Sequence, residues 1–339
     1  MKVLTGRAAA RSLAWLGLGL VAALVLGLAV GPSELRGFEA LRALVAPDDG
    51  AKADILLRVR LPRVLLAAAV GASLAVAGAL FQALLRNPLA DPFVLGVSGG
   101  AALGGMLVLA LGPAVGLGGA AVPPAAFAGA LITTAVLYAV AGRGGGVSGT
   151  QLLLTGVVFN AFASAGIVFI ASLAGLVEGT NLFLWLIGSL SAVRADAGPA
   201  VALFLVLGLG CALPLLRQLN LLVLGEESAL QLGVDVGRVQ RWLLLSTSLM
   251  VGAAVAVAGL VGFVGLIVPH LLRLWLGPDH RLLVPAAALG GAAFLVVCDT
   301  AARSAFGGRE LPVGAITALA GGPLFLYLLA RHHRRVFSV

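Results

Sequence analysis

Ionisable side chains that could couple transport to an ion are scarce in the apolar segments of this sequence. Coupling requires a charge that binds the ion at mid-membrane depth. Asp299 and Arg303 fall at the end of one apolar segment and Arg273 near the end of another, so that only His270 falls well inside one. His270 follows Pro269, and its imidazole could satisfy backbone groups that the proline frees or could relay protons. The sequence therefore lacks the ionisable groups at mid-membrane depth that an ion-driven pump usually carries.

The sequence also lacks the motifs of a nucleotide site or a catalytic centre. A phosphate-binding loop needs the pattern G-x-x-x-x-G-K-[ST], and neither Lys2 nor Lys52, the two lysines of the chain, stands in that frame. No H-E-x-x-H motif and no nucleophile elbow occur. Cys211 and Cys298 lie in apolar stretches and form no metal-ligand spacing. We expect no enzyme activity, metal or cofactor in this chain, so the energy for active transport would come from another polypeptide.

The composition predicts an all-α, polytopic membrane protein. Of the 339 residues 60% are hydrophobic and 11% are charged, and the mean hydropathy is +1.10. Because a span needs about 20 apolar residues, we expect about ten spans in one transmembrane domain over residues 1–339, with the lipid bilayer and no nucleic acid as a partner. The spans are predicted at 14–30, 62–83, 93–111, 123–141, 151–174, 197–216, 242–260, 262–276, 283–300 and 312–330. The eighth is short and interrupted by Pro269, which would make nine spans the alternative.

A nine-residue segment nearly recurs 181 positions later. Residues 70–78 and 251–259 are identical at seven of nine positions, and at the same offset Pro88 falls on Pro269 and Gly96 on Gly277. The pattern favours a duplication, with repeat one at about 14–174 and repeat two at about 197–330. Five spans per repeat would invert the second relative to the first and place a transport path between them.

The distribution of basic residues predicts that the N-terminus is inside. Thirteen basic residues then fall inside and nine outside, and the outside excess lies mainly between residues 31 and 63. This excess could form a docking surface for an acidic partner. Alternatively, it is balanced by five nearby acids, Glu34, Glu39, Asp48, Asp49 and Asp54.

The longest inside connection, about residues 217–241, is a candidate contact for a cytosolic partner. Gly225 precedes Glu226 and Glu227, and Gly233 follows, which predicts one or two short helices with acids at the N-terminus. A set of apolar residues could enter a groove of the partner, namely Ala229, Leu230 and Leu232. A turn that packs only on itself is the alternative.

The order and spacing of several motifs resemble the permease subunits of ATP-binding-cassette importers for iron-siderophores, haem and cobalamin (FecCD type, type II importers). The resemblance covers about residues 55–330. Its motifs are R-L-P-R at 60–63, Q-A-L-L-R-N-P-L-A-D-P at 82–92, L-G-V-S-G-G-A at 95–101, L-G-E-E-S-A-L-Q-L-G-V at 224–234, G-F-V-G-L-I-V-P-H-L-L-R at 262–273, G-P-D-H-R at 277–281 and E-L-P-V-G at 310–314.

This resemblance implies a homodimer in a bacterial inner membrane, with ten spans per subunit and one central path. Two cytosolic ATPases would hold ATP and Mg, and their clefts would receive the coupling segment at 225–234. A periplasmic binding protein would deliver the substrate and dock its carboxylates on Arg60, Arg63 and Arg303. Arginine suits this role because its planar fork orients a carboxylate as well as attracting it.

The resemblance also implies a cytoplasmic gate in the loops after spans two and four. Asn87 and Leu89 fall on the first loop and Gly149 and Thr150 on the second, although relatives can carry hydroxyl residues where this chain has Gly149. The pair Asn87-Pro88 is also expected as a helix-ending turn. Four small residues would line the path or pack helices closely, namely Gly96, Ser98, Gly99 and Gly100.

The cargo is expected to be an iron complex. G-P-D-H-R and L-P-V-G look most like haem permeases, then siderophore permeases, then cobalamin permeases, and no arrangement of His, Met or Tyr specifies haem ligation. An ion-gradient carrier with inverted repeats is the alternative from another class. A heterodimer in place of a homodimer stays open.

Overall fold

The computed structural model of the protein describes residues 6–32, 37, 51–93, 95–142, 149–175, 186–191, 197–305 and 310–336, without the side chains of residues 51 and 328–336. Regular structure in these ranges is entirely helical, as predicted. The α-helices of six or more residues are α1 (Gly6–Ala29), α2 (Leu61–Leu84), α3 (Val97–Leu111), α4 (Val122–Ala141), α5 (Gly149–Leu173), α6 (Ala197–Ala212), α7 (Leu216–Leu222), α8 (Glu226–Gln231), α9 (Val236–Ala258), α10 (Val264–Leu276), α11 (His280–Ser304) and α12 (Val313–Val336).

Ten apolar helices correspond to the ten predicted spans. Eight helical stretches of the described residues are long and apolar enough to cross a bilayer. Helix α10 is a shorter apolar helix, and α12 is apolar over Val313–Tyr327. The stretch that contains α2 begins at Lys52 and passes through a π-helix at Ile55–Arg60. The 13 residues of α10 rise only about 20 Å, less than a full hydrocarbon core.

The predicted interruption at Pro269 is wrong, because α10 continues through it. Proline has no N–H to donate to the carbonyl four residues earlier, which belongs to Gly265. Gln82 of α2 supplies that hydrogen instead, since its Nε2 donates to the carbonyls of Gly265 at 3.2 Å and Leu266 at 3.1 Å. A side chain from another helix therefore satisfies the freed carbonyl.

Helix α2 is the centre of the bundle and packs against α6, α9, α10 and α11. Glycines allow its backbone to touch two neighbours. A Cβ added at Gly71 would lie 2.2 Å from the carbonyl oxygen of Gly291 in α11, and one at Gly78 would lie 1.9 Å from that of Gly265 in α10. Such small-residue crossings are typical of membrane helices, whose association depends on close backbone packing.

The two copies of the nine-residue segment occupy different places in their helices. Gly78 lies inside α2, whereas Gly259 ends α9 with a φ of 69°. Pro88 likewise lies in the turn after α2, whereas Pro269 lies inside α10. The division into two inverted repeats at 14–174 and 197–330 stays a prediction.

Candidate functional site

At the predicted outer end of the bundle, Arg63 of α2 binds two carboxylates from distant parts of the chain. Its Nε and Nη2 each lie 3.0 Å from Asp299 Oδ1, and Nη1 lies 3.2 Å from both carboxylate oxygens of Glu310. Arg303 Nε is 3.3 Å from Asp299 Oδ2, an ion-pair distance, although its N–H is not aligned for a hydrogen bond. We call Arg60, Arg63, Asp299, Arg303 and Glu310 the outer cluster.

The outer cluster also holds the C-terminal end of α1. Arg60 Nη1 donates to the carbonyl of Leu28 at 2.7 Å, and Arg303 Nη2 donates to the carbonyl of Gly27. The last carbonyls of a helix lack partners within it and carry the negative end of its dipole. The last turn of α1 has no basic residue of its own. These two arginines, from other parts of the chain, therefore supply the positive charge at this helix end.

The three arginines predicted to dock a binding protein therefore lie together but are not presented at the surface. Arg60 is 3% exposed, Arg63 7% and Arg303 3%, and Asp299, which was not predicted as a site residue, is 1% exposed beneath them. Glu310 is the half-exposed member of the cluster. These guanidinium groups already bind carboxylates and carbonyls of the same chain. Their docking role stays a prediction.

Of the five acids proposed to balance the basic residues between 31 and 63, Asp54 lies within the described residues. Asp54 pairs with Arg58 at 2.9 Å, and both side chains are exposed. Glu34, Glu39, Asp48 and Asp49 lie outside the described residues.

At the opposite, predicted inner end, α2 ends in a Schellman motif. Asn87 N donates to the carbonyl of Gln82 at 3.0 Å, and Arg86 N donates to that of Ala83 at 3.1 Å. Arg86 takes the left-handed conformation with a φ of 50°. Asn87 Oδ1 then accepts from Leu89 N at 2.9 Å, so the helix-ending turn expected at Asn87-Pro88 is present. We call residues 85–89 the gate turn.

The second predicted gate segment lies beside the gate turn. Gly149 begins α5, and a Cβ added there would lie 3.5 Å from Leu85 Cα, an ordinary contact distance. The hydroxyl residues expected of relatives would therefore fit at this position. Thr150 is exposed, and Val147 and Ser148 lie outside the described residues. The structure thus places the two segments side by side, and their gating role stays a prediction.

The inside connection at about 217–241 contains the two short helices α7 and α8, and α8 lies within the coupling segment at 225–234. Gly225, with a φ of 129°, precedes Glu226 and Glu227 in the first turn of α8, and Gly233, with a φ of 81°, follows its end. The predicted helix start and stop are confirmed.

Only part of the predicted apolar face of the coupling segment is exposed. Leu230 is 59% and Leu232 60% exposed, whereas Ala229 is completely buried. The prediction that Ala229 contacts a partner is wrong, because this residue faces the interior of the protein. Leu224, which was not predicted, is 68% exposed. We call Leu224, Leu230 and Leu232 the leucine surface.

An ion pair joins the coupling segment to the gate turn. Arg86 Nη2 lies 3.2 Å from Oε1 of Glu226, the first residue of α8. The two side chains are 40% and 29% exposed. The sequence motif predicted a coupling role for Glu226, but no local pattern connects it to Arg86, which lies 140 positions away.

Asn220 of α7 fixes the inside connection at 217–241 against the start of α11. Its Nδ2 donates to Asp279 Oδ1 at 2.8 Å, and its Oδ1 accepts from the backbone N of His280 at 3.0 Å. The Arg281 side chain hydrogen-bonds Asp279 and holds the pKa of this carboxyl well below its usual range. The G-P-D-H-R motif therefore has a structural role, and Asn220 was missed because its partners lie about 60 positions away.

A second buried carboxylate, Asp91, lies between α2 and α3. It accepts a hydrogen bond from Phe93 N at 2.7 Å. Burial raises its pKa to about 6, against the smaller opposing effect of that hydrogen bond.

The four residues predicted to line the path are buried. Gly96 is the N-cap of α3 with a φ of 79°, and Ser98 lies in the first turn of the helix. An added Cβ at Gly99 would meet the side chain of Asn160 in α5, and one at Gly100 would meet Thr133 in α4. These glycines therefore pack helices together, and a path lined by them stays a prediction.

Within the described ranges no three His, Cys, Asp or Glu side chains converge as metal ligands. Charged groups instead collect at the two ends of α2, and apolar helices surround it. A polytopic bundle of apolar helices is typical of membrane transport proteins.

The chain belongs to the FecCD transport family, whose profile matches residues 19–331. It is 48% identical to the cobalamin import system permease BtuC of Halobacterium salinarum, over 80% of this chain and 72% of that protein. It is 44% identical to the hemin transport system permease HmuU of Yersinia pestis, over 83% and 84% of the two chains. A solved structure of a metal-chelate type ABC transporter in an inward-facing conformation matches with a TM-score of 0.77 and 31% identity, over 95% of this chain and 99% of the other. The protein is thus a multi-pass ABC importer permease, a transport subunit and not an enzyme.

Proposed function

We propose that this permease imports an iron complex, with haem as the first candidate, across a bacterial inner membrane. The observation that carries the importer mechanism is the leucine surface on and beside α8, together with the ion pair between Glu226 of α8 and the gate turn. Three exposed leucines on a polar, predicted cytosolic segment are suited to a protein groove. Two cytosolic ATPases that bind ATP and Mg would receive them.

The gate is proposed at the gate turn together with Gly149 and Thr150. The side-by-side placement of Leu85 and Gly149 supports this proposal, since a shift of either segment would alter the contact between α2 and α5. Closure of the ATPases would move α8, and the permease helices would rock in response.

A homodimer is proposed because α5 has a large exposed apolar face. Leu154, Phe162 and Phe169 are each about two-thirds exposed, and a second copy against this face would enclose a path between the subunits. At the outer end, a periplasmic binding protein would approach Arg60, Arg63 and Arg303 beside the half-exposed Glu310. Carboxylates of the binding protein would then compete with Glu310 for Arg63.

Cobalamin is the second candidate cargo. The relatives named for cobalamin and for hemin import have similar identities to this chain, 48% and 44%. Both cargoes are bulky metal chelates, and a binding protein that delivers either one removes the need for a strong site in the permease.

The test is uptake into vesicles that hold this permease with its ATPase and binding protein. We expect haem to accumulate when ATP and the binding protein are present, and not with a proton gradient alone. Cobalamin accumulation under the same conditions would replace haem as the cargo. Accumulation on the gradient alone would support the ion-gradient carrier and overturn the ATP-driven mechanism.

A further inference from the structure

We propose that the Arg86–Glu226 ion pair transmits movement of α8 to the gate turn. Glycine usually occupies the backbone position of Arg86, and the arginine side chain is there to form this pair. The proposal rests on the proposed function, since it deepens the coupling role given to α8. It adds a positioning residue, Arg86, and a direct connection between the coupling segment and the gate turn.

The backbone at Arg86 provides the first argument. The position after the C-cap of a Schellman motif is left-handed, and glycine usually fills it because it has no Cβ. Arg86 takes this conformation with a φ of 50°, while both hydrogen bonds of the motif are formed. Glycine would make the same turn with less strain, so the turn itself does not need arginine.

The ion pair provides the second argument. Nη2 of Arg86 lies 3.2 Å from Oε1 of Glu226, the residue that follows Gly225 and begins α8. On the other side, Arg86 directly precedes Asn87, whose side chain closes the turn to Leu89. One ion pair therefore connects the first residue of the coupling helix to the backbone of the gate turn.

The surroundings of α8 provide the third argument. Ala229 is buried on one face of the helix, whereas Leu230 and Leu232 are exposed. A force applied to the exposed leucines would move this six-residue helix as a unit, and Glu226 at its N-terminus would pull on Arg86. Since both partners are partly exposed and exposed pairs add little to stability, the pair can separate and re-form during a transport cycle.

The test compares Arg86→Gly with Arg86→Lys in vesicles that hold the permease, its ATPase and its binding protein. We expect Arg86→Gly to keep wild-type thermal stability, ATPase assembly and ATP hydrolysis, but to lower the amount of cargo moved per ATP at least fivefold. Arg86→Lys keeps the charge and is expected to retain more than half of the wild-type ratio. A purely structural role for Arg86 would not lower this ratio in a glycine variant.

A charge exchange makes the test independent of the glycine variant. Arg86→Glu and Glu226→Arg are each expected to lower the ratio about tenfold, and the double variant is expected to return to within about threefold of wild type. The matched control is Arg58→Gln, which removes an exposed arginine–aspartate pair with Asp54 at the opposite end of the bundle. We expect this control to transport like wild type.

Two results would overturn the inference while leaving the proposed function intact. One is a wild-type ratio in Arg86→Gly, and the other is a double variant no better than its single variants. An inactive wild-type complex, in which ATP drives no uptake of haem or cobalamin, would instead overturn the proposed function and this inference with it.

Discussion

The two ends of α2 are tied to distant parts of the chain by the same chemistry in opposite settings. At the outer end, Asp299 is 1% exposed and lies between Arg63 and Arg303. At the inner end, Arg86 and Glu226 form a single pair with partly exposed side chains. A buried charge that loses its partner is strongly destabilising, whereas an exposed pair contributes little. The comparison indicates that α2 is held firmly at one end and adjustably at the other.

Removal of Asp299 should have the largest effect. Asp299→Asn leaves two buried arginines without their shared carboxylate, and we expect a loss of about 3–5 kcal/mol in unfolding free energy. Thermal unfolding of the purified protein in detergent measures this. Glu310→Gln, at the half-exposed edge of the same cluster, should cost about 1 kcal/mol. Equal losses in the two variants would contradict the buried–exposed distinction.

Asp91 differs from Asp299, because it is buried and the described residues show no cationic partner for it. Its raised pKa, from 3.8 to about 6, means that the folded protein holds a proton between about pH 4 and 6 that the unfolded chain releases. Stability is therefore expected to fall as pH rises through this window.

Asp91→Asn removes the titration while retaining an acceptor for Phe93 N. Above pH 6 this variant should be more stable than wild type by up to about 3 kcal/mol, and the two should converge near pH 4. Thermal unfolding at several pH values provides the measurement. A constant difference from pH 4 to pH 8 would show that ionisation of Asp91 is not the cause.

Gly71→Ala tests the helix contact on which the outer cluster depends. The new Cβ would lie 2.2 Å from the carbonyl oxygen of Gly291, so α2 and α11 must separate, at an expected cost of about 2 kcal/mol. Gly17→Ala on α1 is the matched control, since an added Cβ there meets nothing within 4 Å. This control should be neutral or slightly stabilising, and a similar loss in both variants would point to a general effect of alanine.

The smallest effect on stability is expected at the inner end. Arg86→Gln should change the unfolding free energy by less than about 1 kcal/mol, because the pair is partly exposed and screened by salt. Thermal unfolding at low and high salt checks this. A loss as large as that of Asp299→Asn would show that the inner pair is a fixed structural contact, contrary to the adjustable role assigned to it.

Features that depend on local sequence were predictable. The apolar segments indicated the spans because a bilayer requires long apolar helices. Gly225 and Gly233 marked the limits of the coupling helix, since both take backbone conformations that favour glycine. The exposure of Leu230 and Leu232 agreed with the predicted apolar face, because both lie next to polar residues in a short connection.

Which side chains meet depends on how the helices pack in the folded protein. Arg63 and Asp299 are 236 positions apart and Arg86 and Glu226 are 140 apart, so no local pattern could pair them. The sequence did not predict which residues are buried. The three arginines expected at the surface and Ala229 are buried, and Gln82 lies beside the carbonyl freed by Pro269. The sequence thus determined where helices form, through backbone and solvation preferences. Helix packing determined which charges are compensated, because that depends on neighbours brought together only in the folded bundle.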